Sequence, residues 1–253
     1  GKGAFVGSGS DLHSVGAYSV IAGGEGNNVT APYAVVTGGY KNSAFGYQSF
    51  IGGGKNNAVN ESGSAIVGGS SNVVDGHLGI IGGGSENTVR SAYGSVMGGS
   101  LNTVQGESSF VGGGEANSVN GSAMCAVISG GFGNAVYGEG AFIGGGGLLV
   151  TSKEASLVAG RDTSIGGNVA SGAYSVVVGG HANAAADSFA FCGGGANNVA
   201  SSYFSTVVGG KSNSALSSSA TVAGGESNTA SAAFASVLGG TANRAHGMHS
   251  TIG

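Results

Sequence analysis

The sequence predicts an all-β protein, a parallel β-solenoid of about sixteen coils with fifteen residues each, and three observations point to this class. An Asn follows a Gly pair at a constant interval of fifteen positions in two long runs. A Val or Ile recurs nine positions after these Asn residues, as β-branched residues in packed strands do. Finally, 56 of the 253 residues are Gly, and each Gly costs a helix about 1 kcal/mol relative to Ala.

Positions in a coil are counted from its Asn, which is position zero. Position nine reads Ile21, Val36 and Ile51 in the first coils, and Cys192 replaces the β-branched residue once. We predict that position nine is a buried ladder. Position two, Val or Ala in most coils, is predicted to point inward from a shorter second strand. Position seven is nearly always Ser, Ala or Gly, so we expect backbone or another subunit to approach closely there.

The Gly pair and the Asn are predicted to form the corner of each coil. Gly supplies the positive φ that a tight corner needs, and Asn can bond its own backbone or stack on the Asn of the next coil. Identical corners argue against fifteen-residue antiparallel hairpins, whose strand direction would alternate. The residues assigned this structural role are Gly23, Gly24, Asn27, Asn42, Asn57, Asn72, Asn87, Asn102, Asn117, Asn183 and Asn198.

Charge and composition exclude several classes. The chain has 8 basic and 12 acidic residues, a net charge of -4 and no run of like charges, so we expect no nucleic-acid partner. No apolar run approaches the roughly 20 residues of a membrane span, so no membrane insertion by this segment is expected. Collagen needs Gly at every third position and abundant Pro. We predict that charged residues are confined to the corner and to positions three to five.

A second period, twice as long as the first, spans two coils. Large residues at position eight accompany Gly at position ten in Phe50, Phe110, Phe142 and Phe191, while the coils between them pair smaller residues with larger ones. Compensated volume predicts a close-packed face, so the strand should be buried on both sides. Two explanations remain open from the residues: a neighbouring chain covers this face, or the chain is a monomer whose turn is twice as long, with thirty residues.

The motif Asn-x-Ala-x-Gly-x-x-Ser-x-Val-x-Gly-Gly at Asn168–Gly180 resembles the head repeats of trimeric autotransporter adhesins of the YadA type. It is also similar to repeats in phage and viral tail-fibre proteins. The resemblance covers nearly all of the chain and departs from those repeats by one extra residue, the second Gly of the corner. It implies a left-handed β-roll and a homotrimer.

The count of fifteen breaks in the middle of the chain. We predict a regular array over 1–121, irregular coils over 122–167 with two insertions, and a second regular array over 168–253, as one continuous solenoid in a fragment of a longer chain. Leu12 and Leu149 replace the Asn. Because insertions in solenoids form loops that often bind ligands, the candidate ligand-binding residues are Met124, Cys125, Leu148, Leu149, Lys153, Glu154, Arg161 and Asp162.

Two alternatives stand beside this patch. The insertions can be neutral, or form a repacked joint between two arrays. The outer corner, with Tyr40, Phe132 and His181, can instead provide a regular multivalent surface.

No catalytic constellation is found in the sequence, and we expect no enzyme activity, cofactor or metal. Gly210-Lys211-Ser212 resembles the end of a phosphate-binding loop, but Ser205 occupies the required first Gly. His246 and His249 lie in one turn with no carboxylate close in sequence.

The predicted function is a structural or adhesive fibre module. It would be an extracellular, rigid trimeric head or shaft, on a cell or virion, that attaches to a host-surface protein or glycan. The alternatives are a monomeric ice- or surface-binding solenoid and a purely structural spacer.

Overall fold

The structure, a computed structural model, describes residues 1–160 and 167–253, and these are built from short parallel β-strands without any helix. The chain divides into two compact units, Gly1–Cys125 and Ala126–Gly253. Each unit is a parallel β-solenoid, with about sixteen coils in the two together. The all-β solenoid prediction is therefore confirmed.

Each coil of the first unit contributes one strand to each of two sheets. Sheet A carries positions eight and nine, and sheet B carries positions one and two. The sheet A strands are Phe5–Ser10, Val20–Glu25, Val35–Val36, Phe50–Ile51, Ala65–Ile66, Ile80–Ile81, Ser95–Val96 and Phe110–Val111. The sheet B strands are His13–Ser14, Asn28–Val29, Ser43–Ala44, Ala58–Val59, Val73–Val74, Thr88–Val89, Thr103–Val104 and Ser118–Val119.

The second unit repeats the same plan. Its sheet A strands are Val127–Ile128, Phe142–Ile143, Leu157–Val158, Val176–Val177, Phe191–Cys192, Thr206–Val207, Thr221–Val222, Ser236–Val237 and Thr251–Ile252. Its sheet B strands are Ala135–Val136, Val150–Thr151, Val169–Ala170, Ala184–Ala185, Val199–Ala200, Ser214–Ala215, Thr229–Ala230 and Arg244–Ala245.

The strand register gives the length of one turn. In both sheets a residue pairs in parallel with the residue fifteen positions later, as Val35 does with Phe50. A monomer with a turn of twice that length would pair residues of every second coil, as Val35 with Ala65, so that explanation is wrong. At the second insertion Leu157 pairs with Val176, nineteen positions later, so the extra four residues leave the stack intact on both sides.

Backbone hydrogen bonds between coils run in two directions. Strand N–H groups donate to the following coil, as Val35 N does to Ser49 O at 2.9 Å. At position six and at the residue before the Asn, the N–H donates to the preceding coil, as Tyr33 N does to Ala17 O at 2.9 Å. These two positions adopt positive φ, near 59° for Tyr33, even though most of them are not Gly. The left-handed conformation turns the N–H towards the other neighbour.

The core of each unit is a narrow channel filled by ladders of small and β-branched side chains. Positions two and nine are fully buried at Val29, Val36 and Ile51, as predicted. Cys192 lies in the same ladder, and burial raises the pKa of its thiol.

Position seven is small because the channel leaves no room. A Cβ added to Gly79 would lie 2.7 Å from Cγ1 of Val74 and 3.1 Å from Cγ1 of Val89. Side chains of the same coil and of the next coil therefore account for the close approach predicted at position seven.

The Asn ladder satisfies polar groups inside the coil. The Asn87 amide nitrogen donates to Gly83 O at 3.1 Å and to Gly99 O at 2.9 Å, and its Oδ1 accepts from the backbone N–H of Asn102 at 3.0 Å. The predicted bonds to the turn and to the next Asn are both present. Where Leu149 replaces the Asn, its N–H still donates to Asn134 Oδ1 at 3.0 Å, but it has no side-chain carbonyl to offer the next coil.

The second Gly of each corner is required by both conformation and space. Gly24 has a φ of 99°, and a Cβ there would lie 2.2 Å from Gly39 O. This confirms the predicted role of the second Gly. The first Gly of the corner, Gly23, does not adopt the positive φ predicted for the pair, and its added Cβ would lie 2.8 Å from Ser8 O.

The charge prediction has one exception. Arg244 lies at position one, inside the sheet B strand Arg244–Ala245, and its side chain is exposed. Position one points away from the channel, so a charge is tolerated there.

Candidate functional site

The outer side of sheet A is an uncharged and largely apolar surface in each unit. Its residues, at positions eight and ten, include no charged side chain. We name this surface the apolar face. In the first unit its exposed large members are Phe5, Phe50, Val67, Ile80 and Met97, and in the second unit they are Phe142, Val178, Val208 and Leu238.

In a single chain, side chains of the apolar face are more exposed than the sequence pattern predicts. The sequence pattern predicts burial on both sides of the strand, but Val67 is 58% exposed and Phe50 is 38% exposed. The channel covers only the inward side of sheet A, because alternate strand residues point to opposite sides. The outward side is left without a cover in one chain.

Close contacts accompany the two-coil period on this face. A Cβ added to Gly193 would lie 2.3 Å from Val208 O of the next coil and 3.2 Å from Cε1 of the Phe191 ring. A Cβ added to Gly144 would lie 3.3 Å from Cε1 of the Phe142 ring. The ring at position eight therefore lies close to position ten of its own coil. The backbone of the next coil also restricts position ten, since a Cβ added to Gly82 would lie 2.5 Å from Met97 O.

The outer side of sheet B mixes polar, charged and apolar side chains, the last including Val73 at position one and the exposed Phe45 and Leu216 at position three. Position one holds Ser43, Thr88 and Thr103, and position three holds Asp75 and Arg90 among its exposed residues. The two sheets of one coil thus present surfaces of different chemistry.

The turn at positions five and six carries exposed aromatic rings that sequence reasoning missed. Tyr174, Phe189 and Phe204, all at position six, stack with ring centroids 5.2 and 4.9 Å apart. In the first unit Tyr18 and Tyr33 stack at 5.3 Å. A count of aromatics at position six would have pointed to these ladders, because identical positions of adjacent coils lie next to each other.

The candidate ligand residues of the first unit occupy an ordinary turn. Cys125 is exposed, has a φ of 53° and donates its N–H to Glu107 O at 2.9 Å, which is the pattern of position six. Met124 beside it is exposed. The two extra residues are therefore absorbed before Met124, where Ala123 N–H donates to Asn120 O at 3.0 Å.

The candidate ligand residues of the second unit divide between core and surface. Leu149 is fully buried in the position of the Asn, so it cannot contact a ligand at the surface. Leu148 is partly exposed with a φ of 57°, and Lys153 and Glu154 are exposed in the following turn. Arg161 and Asp162 lie outside the described residues.

The outer corner carries the other predicted surface. The Lys41 ammonium lies 4.9 Å from the centroid of the Tyr40 ring, and that of Lys55 lies at 5.8 Å. The side-chain hydrogen bond and charge of Tyr40 raise the pKa of Lys41. Phe132 is exposed at the same corner position, and His181 pairs through its backbone with Ala196.

Within residues 1–160 and 167–253, no cluster of three or more His, Cys, Asp or Glu side chains could hold a metal ion. The same part of the chain contains no helix of the length and hydropathy that spanning a membrane requires. No protein-family model and no curated protein matches this sequence.

Proposed function

We propose that the chain is an extracellular fibre module, a rigid homotrimeric head or shaft that attaches a cell or virion to a host-surface protein or glycan. The observation that carries the proposal is the apolar face, which is exposed, free of charge and repeated along each unit. Contiguous exposed apolar surfaces of this kind mark interaction sites.

Covering the apolar face would favour association. Fully burying a Val, Ile or Phe side chain contributes roughly 1.5–3 kcal/mol. Val67, Ile80 and Met97 alone are each more than two-fifths exposed. Several such side chains in each unit therefore offset part of the entropy cost of association, provided that the partner matches their shape.

A second copy of the chain is the partner that fits the pattern. Large and small side chains alternate on this face from one coil to the next, and neighbouring strands are about 4.8 Å apart. A partner must repeat at the same rise to contact every layer, and an identical solenoid does so. The resemblance to YadA-type heads supports three chains around a common axis, with sheet B, the corners and the turns left outside.

The rival function, ice or flat-surface binding by a monomer, finds less support. It requires a flat row of hydroxyl groups, and position eight does provide Thr206, Thr221 and Thr251 in the second unit. Val208 and Leu238 at position ten are 52% and 58% exposed on the same face. These side chains protrude beside the hydroxyl groups, so the face is not a flat polar surface.

The interface is tested by one substitution on each sheet. Val67→Asp puts a carboxylate on the apolar face, and Val73→Asp puts the same charge on the outer side of sheet B. We expect Val67→Asp to dissociate the oligomer in analytical ultracentrifugation and Val73→Asp to leave it assembled, because a buried unpaired charge costs several kcal/mol. If the assembly survived Val67→Asp and dissociated with Val73→Asp, the interface would lie on sheet B and the proposed interface would be contradicted.

Attachment is tested with beads that carry the wild-type protein or the Val67→Asp variant at equal density. Wild-type beads should bind host cells or extracellular matrix more tightly than variant beads, because a trimer adds avidity to weak sites. If neither protein bound any of these surfaces, the attachment function would be contradicted and the purely structural spacer would remain.

A further inference from the structure

The aromatic cluster of the second unit has a defined geometry. Phe189 is stacked between Tyr174 at 5.2 Å and Phe204 at 4.9 Å, with ring planes only 8° and 15° apart. Both faces of the Phe189 ring are therefore occupied, and any further neighbour must approach its edge.

Tyr203 is that neighbour. Its ring centroid lies 5.8 Å from that of Phe189, with the planes 87° apart, and 4.4 Å from that of Phe204, at 73°. Two rings that meet edge to edge keep their centroids about 6 Å or more apart, since carbon atoms in contact are roughly 3.5–4.0 Å apart. Tyr203 therefore turns one face towards the Phe189 edge. The opposite face points away from the stack, and the side chain is 47% exposed.

The first unit has a related arrangement without the third stacked ring, because Gln48 takes the place that Phe204 has in the second unit. Tyr47, at position five like Tyr203, meets the position-six Tyr33 of the preceding coil at 5.6 Å and 80°. Tyr33 is itself stacked on Tyr18. Tyr47 is 48% exposed, nearly the same as Tyr203. Recurrence in both units indicates a specific way of presenting a Tyr ring.

The surroundings keep the Tyr rings open and set the chemistry beside them. On the following coil, position five is Ser62 beside Tyr47 and Ser218 beside Tyr203, small residues with hydroxyl groups. One acid lies at position four of a neighbouring coil in each cluster, Glu61 in the first unit and Asp187 in the second. No Lys or Arg occurs at positions four to six of the three coils that form either cluster.

We propose that the outer ring faces of Tyr47 and Tyr203 are stacking sites for the pyranose rings of a neutral glycan. One side of a pyranose presents C–H groups, which pack on an aromatic face, and its perimeter presents hydroxyl groups. At one site Glu61 and Ser62, whose hydroxyl also bonds His77 Nδ1 at 2.9 Å, can bond those hydroxyls. At the other site Ser218 on the following coil and Asp187 on the preceding coil can do so. Nucleic acids and acidic glycans lack the cations that they need here.

This inference rests on the proposed function, since it names the ligand class of the attachment surface. A single stacked ring with a few hydrogen bonds gives weak affinity, about 1 mM. Two sites in each chain, multiplied by three chains, raise the effective affinity by the avidity that a multivalent fibre provides.

The test is saturation-transfer NMR with three neutral probes, cellohexaose, maltohexaose and mannohexaose, and with oligogalacturonate as the acidic control. We expect at least one neutral probe to bind the wild type, and the acidic probe not to bind. The Tyr47→Ala and Tyr203→Ala double variant should lose at least tenfold in affinity. The double Tyr→Phe variant keeps the ring faces and should still bind.

Tyr137→Ala removes a Tyr of matched exposure, 49%, from another part of the turn and should bind like the wild type. Circular dichroism of each variant reports folding, and light scattering of the same samples reports the oligomeric state. Binding by none of the neutral probes, or unchanged binding by the folded double Ala variant, would overturn the stacking sites. If the protein were a trimer that bound none of the probes, the proposed fibre would stand and the stacking sites would be rejected.

Discussion

At the scale of single residues, the Gly and Asn of the corner hold each coil together. The Asn side chain lies inside the coil and bonds backbone groups of its own coil and of the next. The second Gly sits against the backbone of the following coil, where no side chain fits. These two residues recur because the space and the hydrogen bonds admit almost nothing else.

Gly84→Ala tests the corner. The added Cβ would lie 2.0 Å from Gly99 O, and the φ of 89° disfavours any side chain. We expect the free energy of unfolding to fall by about 2–5 kcal/mol. Gly83→Ala is the control, since nothing lies within 4 Å of its added Cβ, and it should change stability by less than about 0.5 kcal/mol. Guanidinium unfolding of both variants measures the difference, and equal effects would contradict the packing argument.

Asn87→Ala tests the ladder. The substitution leaves Gly83 O, Gly99 O and the Asn102 N–H without the partner that Asn87 provides. Gly99 O still accepts from the Ser85 N–H at 2.9 Å, but the other two groups lose their partner. Because unpaired buried groups cost about 1–3 kcal/mol each, we expect a loss of roughly 2 kcal/mol or more. Asn60→Ala removes an exposed Asn that donates to Asp75, and it should lose less than about 1 kcal/mol. Thermal unfolding followed by circular dichroism compares them, and similar midpoints would remove the ladder as a source of stability.

At the scale of the coil, the spacing of the repeat could be predicted, but the direction of its inter-coil hydrogen bonds could not. Fifteen-residue spacing and the Gly–Asn corner could be predicted because they recur in the sequence. The positive φ at position six could not, since Tyr33, Leu78 and Phe189 carry no signal for a left-handed conformation. Each of these residues bears strain of about 1 kcal/mol or more, which the inter-coil hydrogen bond offsets.

The narrow channel gives a prediction for position seven. Ala220→Leu would force three more carbon atoms between the side-chain ladders, because Ala220 is fully buried. We expect a loss of about 3 kcal/mol from overpacking. The adjacent Ser219→Leu is the control, since position six points outward and already accepts Leu78 in the first unit. If Ala220→Leu lowered the melting temperature no more than Ser219→Leu, the narrow channel would not be what limits the size of position seven.

At the scale of the whole molecule, the apolar face is the feature that a single chain does not account for. The alternation of large and small residues predicted a packed surface, and the register of fifteen removed the wider turn as its explanation. The sequence could not show what covers this surface. Phe191 and Gly193 compensate each other's volume within one coil, so the alternation does not by itself require contact with a second chain. The candidate ligand residues were also only partly predictable, because Leu149 lies in the buried core and not at the surface.

Light scattering of the protein across a wide range of dilution tests the central claim most directly. The proposed fibre predicts a mass three times that of the 23.8 kDa chain, constant on dilution and changed to that of one chain by Val67→Asp. A folded protein with the mass of one chain at every concentration would contradict it.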